Sequence, residues 1–143
     1  MGTTERAQQM RIVAEILLVH APDLLREDQD LVRDLLSVAG TALHTIHEDV
    51  EKSAKAWDKR AYHVRADELR REWAWVPGAS NYAVGLALRE PPVTVTDVQK
   101  LRTLIGPELE RPARRQIKDP TLFRGAADAV RQKRANRRKP IRG

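Results

Sequence analysis

The 143-residue chain contains no cysteine. That excludes a disulfide framework and thiolate metal sites, and it suits a reducing compartment such as the cytoplasm. Aromatic side chains are few, with three Trp, two Tyr and one Phe, so any core is aliphatic. Long apolar runs are missing. Runs such as Ile16-Leu17-Leu18-Val19 are far short of the roughly 20 residues that a membrane-spanning helix needs. The N-terminus does not begin with charge followed by an apolar core, so no signal peptide is expected. Serine occurs only at positions 37, 53 and 80, none of them in a nucleophile elbow. There is no Gly-x4-Gly-Lys phosphate loop and no dinucleotide-binding glycine cluster. These absences point away from an enzyme, a cofactor, a membrane partner and a small-molecule substrate.

What is present favours helix. Alanine, leucine, arginine and glutamate dominate, and all are good helix formers. Residues 4–20 read as a first helix, with Pro22 as punctuation. Leu24, Leu25, Leu31, Val32, Leu35, Leu36, Ala39, Leu43, Ile46 and Val50 recur at steps of three and four, the period of a long amphipathic helix starting near Asp23. Gly40 inside it is expected to permit close contact with another helix. The apolar stripe then changes side, which predicts a break near 54–62 and a third helix over about 59–76, ended by Pro77-Gly78. A short helix is expected over 80–89. A further helix, opened by a Thr96–Gln99 capping box, should run to Gly106-Pro107. No strand alternation is visible. The expected fold is all-α, a four- to five-helix bundle over residues 1–110. A basic, poorly ordered C-terminal extension should follow over 111–143, with one weak helix at about 121–135.

The net charge of +6 is unevenly spread. Residues 1–51 carry net −6, residues 52–92 net +3, and residues 93–143 net +9. Such asymmetry predicts an acidic packing face and an end that faces a polyanion. His44, His47, Glu48 and Glu51 share one stretch but supply only half of a bundle metal pattern, so no metal is expected.

Five of the six aromatics fall in one window: Trp57, Tyr62, Trp73, Trp75 and Tyr82. Lysine, arginine and histidine are interleaved with them. On an unbroken helix Lys52, Lys55, Lys59, His63 and Arg70 would occupy an arc of about 80°, at roughly 100° per residue. With Arg60 they form a candidate strip for a phosphate backbone. Trp57 and Trp73 suit the core. Trp75 falls off the local stripe and is the better candidate for stacking on a base. In the extension, Arg131, Lys133, Arg134, Arg137, Arg138 and Lys139 form a second candidate nucleic-acid element that needs no fixed geometry.

Residues 73–88, Trp-Ala-Trp-Val-Pro-Gly-Ala-Ser-Asn-Tyr-Ala-Val-Gly-Leu-Ala-Leu, follow a basic helix with a proline turn and a small apolar helix. In this, and in its size and helical character, the chain resembles the small subunits of multi-subunit CRISPR RNA-guided effector complexes, type III in particular. Asn81 is followed by Tyr82 where that pattern has glycine. The resemblance implies a non-enzymatic, cytoplasmic subunit that contacts RNA or DNA inside a larger protein assembly. A free-standing DNA-binding or architectural protein and a protein–protein adaptor anchored by tryptophans are the alternative readings.

Overall fold

The computed structural model describes residues 2–106, 109–111 and 114–138. Among these the chain is helix joined by turns and irregular segments, without a strand. The helices are α1 (Gly2–Glu15), α2 (Ala21–Leu24), α3 (Gln29–Lys59), α4 (His63–Glu72), α5 (Val76–Leu88), α6 (Val95–Ile105) and α7 (Ala126–Arg138). A π-helical turn, Ile16–His20, links α1 to α2, and a 3-10 turn, Pro120–Phe123, precedes α7.

α3 is the spine. Its 31 residues span about 46 Å at 1.5 Å per residue, and α1, α4, α5 and α7 all pack against it. Asp28 starts it by accepting from the Leu31 amide at 3.0 Å, an N-cap that satisfies one of the free first-turn donors. Its inner side buries Leu31, Leu35, Leu36, Leu43, Ile46 and Val50. Gly40 brings α5 close, as its place in the sequence suggests. A Cβ there would stand 2.5 Å from Val84 Cγ2 and 3.2 Å from the Ser80 carbonyl oxygen. The Ser80 hydroxyl donates to the Gly40 carbonyl at 2.7 Å, fastening the two helices at that point.

Several expected boundaries move. The first helix does not stop at Pro22, because proline is tolerated at the start of α2, where its missing N–H costs nothing. The turn before it is π-helical. The Ala21 amide bonds to the Ile16 carbonyl, and Pro22 has no N–H to offer Leu17. The Leu17 carbonyl is met instead by Arg102 of α6, Nε at 3.1 Å and a second nitrogen at 2.5 Å. The break expected near 54–62 falls at residues 60–62, where Ala61 takes a left-handed φ of 63°. Pro77-Gly78 opens α5 rather than closing the preceding helix, again by the tolerance of proline in a first turn. The capping box is Thr94 with Asp97, not Thr96 with Gln99: Asp97 N donates to Thr94 Oγ1 at 3.2 Å and Thr94 N donates to Asp97 at 2.9 Å. Arg89 also bonds Asp97, which Gln99 would not attract.

The extension is more structured than its composition implies, up to Arg138. Its hold is on three acidic residues of the N-terminal half. Glu15, fully buried, accepts from the Gln116 amide, from the Ile117 amide at 2.7 Å and from His20 Nε2 at 2.8 Å. The π turn supplies the register for the last bond, since its hydrogen bonds join residues five apart. Arg124 pairs with Asp28 at 2.6 Å. Asp34, buried in α3, accepts from Gly125 N at 3.0 Å and Ala127 N at 2.9 Å. It therefore caps α7 from another helix. Gly125, with φ 93°, makes the turn that an L side chain would resist. Ile117 and Ala127 are buried.

Candidate nucleic-acid interface

The two basic regions have different fates. In the first, the expected arc does not exist as one surface. The turn at 60–62 puts His63 and Arg70 on α4, apart from the lysines of α3. Both are held by Asp58: His63 Nδ1 lies 2.9 Å from one carboxyl oxygen and Arg70 donates to the other at 2.9 Å. Arg70 is also 3.8 Å from Glu51 and 3.7 Å from Asp67. Hydrogen bonds from His63 and then Arg70 keep the Asp58 carboxyl below its ordinary range, and Asp58 in turn raises the Arg70 guanidinium. These groups join α4 to the end of α3. Arg65 lies over the Trp57 ring at 5.0 Å, a cation–π contact.

The tryptophans are packed. Trp57, Trp73 and Trp75 are all half-buried against the core. Trp75, expected to be the free ring, sits at the start of α5 with its centroid 5.9 Å from that of Trp73. Arg6 covers Trp73 at 5.7 Å and pairs with Asp49 at 2.7 Å. Trp57 and Trp73 line an open cleft of about 620 Å³ between α1, α3 and α4, with Glu72 and Glu110 also on its walls.

Lys52, Lys55, Lys59 and Arg60 are exposed and form no ion pair among the described residues. Their placement relative to α7 is the central feature. Helix α7 begins at Asp34, and farther along its Val130, Lys133, Arg134 and Arg137 meet Thr41 and His44. The two helices therefore run in the same direction. At about 100° per residue, Asp34, Val38, Thr41, Thr45, Lys52, Lys55 and Lys59 share one side of α3. Helix α7 covers the first half of that stripe, and the three lysines continue it over the exposed second half. The lysines span about 10 Å along the axis. Glu48 lies on the same stripe between the two groups, 3.4 Å from His44.

On α7 the inner side is thin, made of Ala126, Ala127, Val130 and the half-buried Arg134. Lys133, Arg134 and Arg137 line a groove of about 200 Å³ whose other walls are Gly40, Thr41 and His44 of α3 and Ser80, Asn81 and Val84 of α5. None of the three cations forms an ion pair among the described residues. Arg131 points elsewhere. It pairs with Asp128 at 2.6 Å and lines a separate hollow near Asp30 and Arg33. The Arg138 side chain and Lys139 lie outside the described residues.

The structure thus aligns two sets that the sequence separates, Lys52/Lys55/Lys59 and Lys133/Arg134/Arg137. It withdraws His63 and Arg70 from them. His44, Thr41 and Asn81 were not foreseen as neighbours of the cations, because each lies on a different helix from the basic run. Comparison with family models, with curated proteins and with solved structures returns no match. No described helix is long and apolar enough to cross a membrane.

Proposed function

We propose that the chain is a non-enzymatic nucleic-acid-binding protein that holds the phosphate backbone along the α7–α3 stripe. The observation that carries this reading is the alignment of six cations, Lys133, Arg134 and Arg137 followed by Lys52, Lys55 and Lys59, none of them in an ion pair among the described residues. Charge of this kind attracts phosphates without reading sequence, since the bonds go to the backbone. The arginines and lysines are available because Asp34 and Glu15 grip the extension through its amides, not through its cations.

A place inside a larger assembly completes the proposal. The resemblance to CRISPR small subunits suggests it, and the α3–α4 corner supports it by leaving Tyr62 56% and Val64 73% exposed. Fluorescence anisotropy with labelled oligonucleotides at two salt concentrations tests the binding reading. The expected result is affinity that falls steeply with salt, with a logarithmic slope of about −0.7 to −0.9 per phosphate contacted, and little dependence on sequence. Absence of binding at low salt would overturn it in favour of the adaptor.

A further inference from the structure

The groove between α7, α3 and α5 is not simply a cluster of charge. One wall carries Lys133, Arg134 and Arg137; the floor includes Val84 and Val130; the facing wall carries Asn81, Thr41 and, with its imidazole exposed, His44. The Ser80 hydroxyl is already engaged with the Gly40 carbonyl, which leaves Asn81 as the α5 side chain with hydrogen-bonding groups to offer. The contact at Gly40 holds α3 against α5, so the floor and the Asn81 wall are one rigid piece.

We propose that this groove seats one nucleotide of a single strand, its phosphate on the Lys133/Arg134/Arg137 wall and its base or sugar edge on Asn81. The inference rests on the nucleic-acid reading above and names the substrate class for it. A phosphate alone needs cations and no more. An unpaired nucleotide is charged on one side and offers a flat face and a hydrogen-bonding edge on the other, which an apolar floor and an amide match. A duplex shows proteins its base edges only inside grooves. To reach them with α7 as a major-groove helix, the chain would have to use the outward-facing Gln132, Ala135 and Asn136, all exposed, while Lys133, Arg134 and Arg137 stayed turned toward α3 and α5. The two modes therefore use opposite sides of the same helix.

Anisotropy with the full chain separates them. The probes are a short RNA strand, a DNA strand of the same sequence, and the corresponding DNA duplex, at one salt concentration. Single strands should bind about tenfold or more tighter than the duplex. Asn81→Leu should weaken single-strand binding about fivefold, the worth of one hydrogen bond near 1 kcal/mol, and leave duplex binding unchanged. Asn81 is exposed on its helix, so this change should leave the fold intact. Gln132→Ala/Asn136→Ala should leave single-strand binding unchanged. A preference for RNA or for DNA, or equal binding of both strands, supports the seat and names its source. Equal or tighter duplex binding, with Asn81→Leu silent and Gln132→Ala/Asn136→Ala weakened, overturns the seat while the backbone-binding function stands. No binding of any probe overturns both.

Discussion

The α3–α4 corner and α7 are both dense in positive charge, yet the fold brings carboxylates to them in different ways. At the corner, Arg70 and His63 meet Asp58, and Arg65 covers Trp57. These groups fix one helix to the next. On α7, carboxyls arrive too, but they take backbone amides at the start of the helix: Asp34 holds Gly125 and Ala127 and leaves the next two turns of side chains alone. Whether a cation becomes a strut or stays unpaired is decided by the carboxylates that the fold brings to it. At the corner they sit on the same helix turn or the next helix, within 20 residues. On α7 only Arg131 meets an acid of its own helix, Asp128, and the capping carboxylate comes from 91 and 93 residues away.

The change that would most disturb this contrast is Asp34→Ala. It removes the cap of α7 and leaves two amides without a partner. The expected cost is about 2 kcal/mol in chemical denaturation. Limited trypsin digestion should then cut within 131–137 early while the α3–α4 corner stays protected. Uniform digestion across the chain would show that α7 is not held separately by this cap.

Next in size is Lys133→Glu/Arg137→Glu. Reversal places negative charge along the proposed phosphate path, and nucleic-acid affinity should fall by at least tenfold, with the salt slope smaller by about two contacts. Truncation at residue 113 is a poorer test, since it also unseats Glu15 and Asp34. The same reversal at Lys55 and Lys59 should cost less, about threefold to fivefold, because those lysines lie beyond Glu48 on an open helix surface. If the Lys55→Glu/Lys59→Glu protein binds as tightly as the unaltered chain, the α3 half of the stripe is not part of the site. Glu48→Gln should act in the other direction, raising affinity about twofold by removing the acid between the two groups. A fall in affinity would mean that Glu48 positions His44 for binding.

The spine was legible in the sequence because its pattern is local, but its start was not: the helix expected from near Asp23 begins at Gln29, capped by Asp28. The steps of three and four from Leu31 to Val50 name the buried side of α3, and Gly40 inside that stripe announces the close approach of α5. The end of the stripe near residue 60 was legible as a change of side. Its consequence for Lys59 and His63, which look adjacent on a continuous helix, was not. Proline misled twice, at Pro22 and Pro77, because its signal is the same for a helix that stops and for one that starts. The candidate site was half legible. Both sets of cations stand out in composition, but their alignment depends on Asp34 reaching Gly125, and a cap that comes from a different helix leaves no pattern in the neighbouring residues.

The smallest expected effect falls at the corner, and it is the one that most directly tests the division of roles. Arg70→Ala removes the most heavily paired cation of the region. If that arginine is a strut, nucleic-acid affinity and the salt slope should both stay unchanged, while the unfolding midpoint drops by less than for Asp34→Ala. The link to pH has a definite sign. The Asp58 carboxyl is held below its ordinary value of 3.8, so its stabilising contribution is complete above that value and is lost as the pH falls through the lower, folded value. The protection of α4 amides, corrected for the intrinsic pH dependence of exchange, should therefore stay level down to about pH 4, near the unfolded value of an aspartate, and fall below it. Asp58→Asn should remove this acid step in α4. A protein in which Arg70→Ala weakens binding as much as Lys133→Glu/Arg137→Glu would place Arg70 on the nucleic acid and erase the distinction between the two regions.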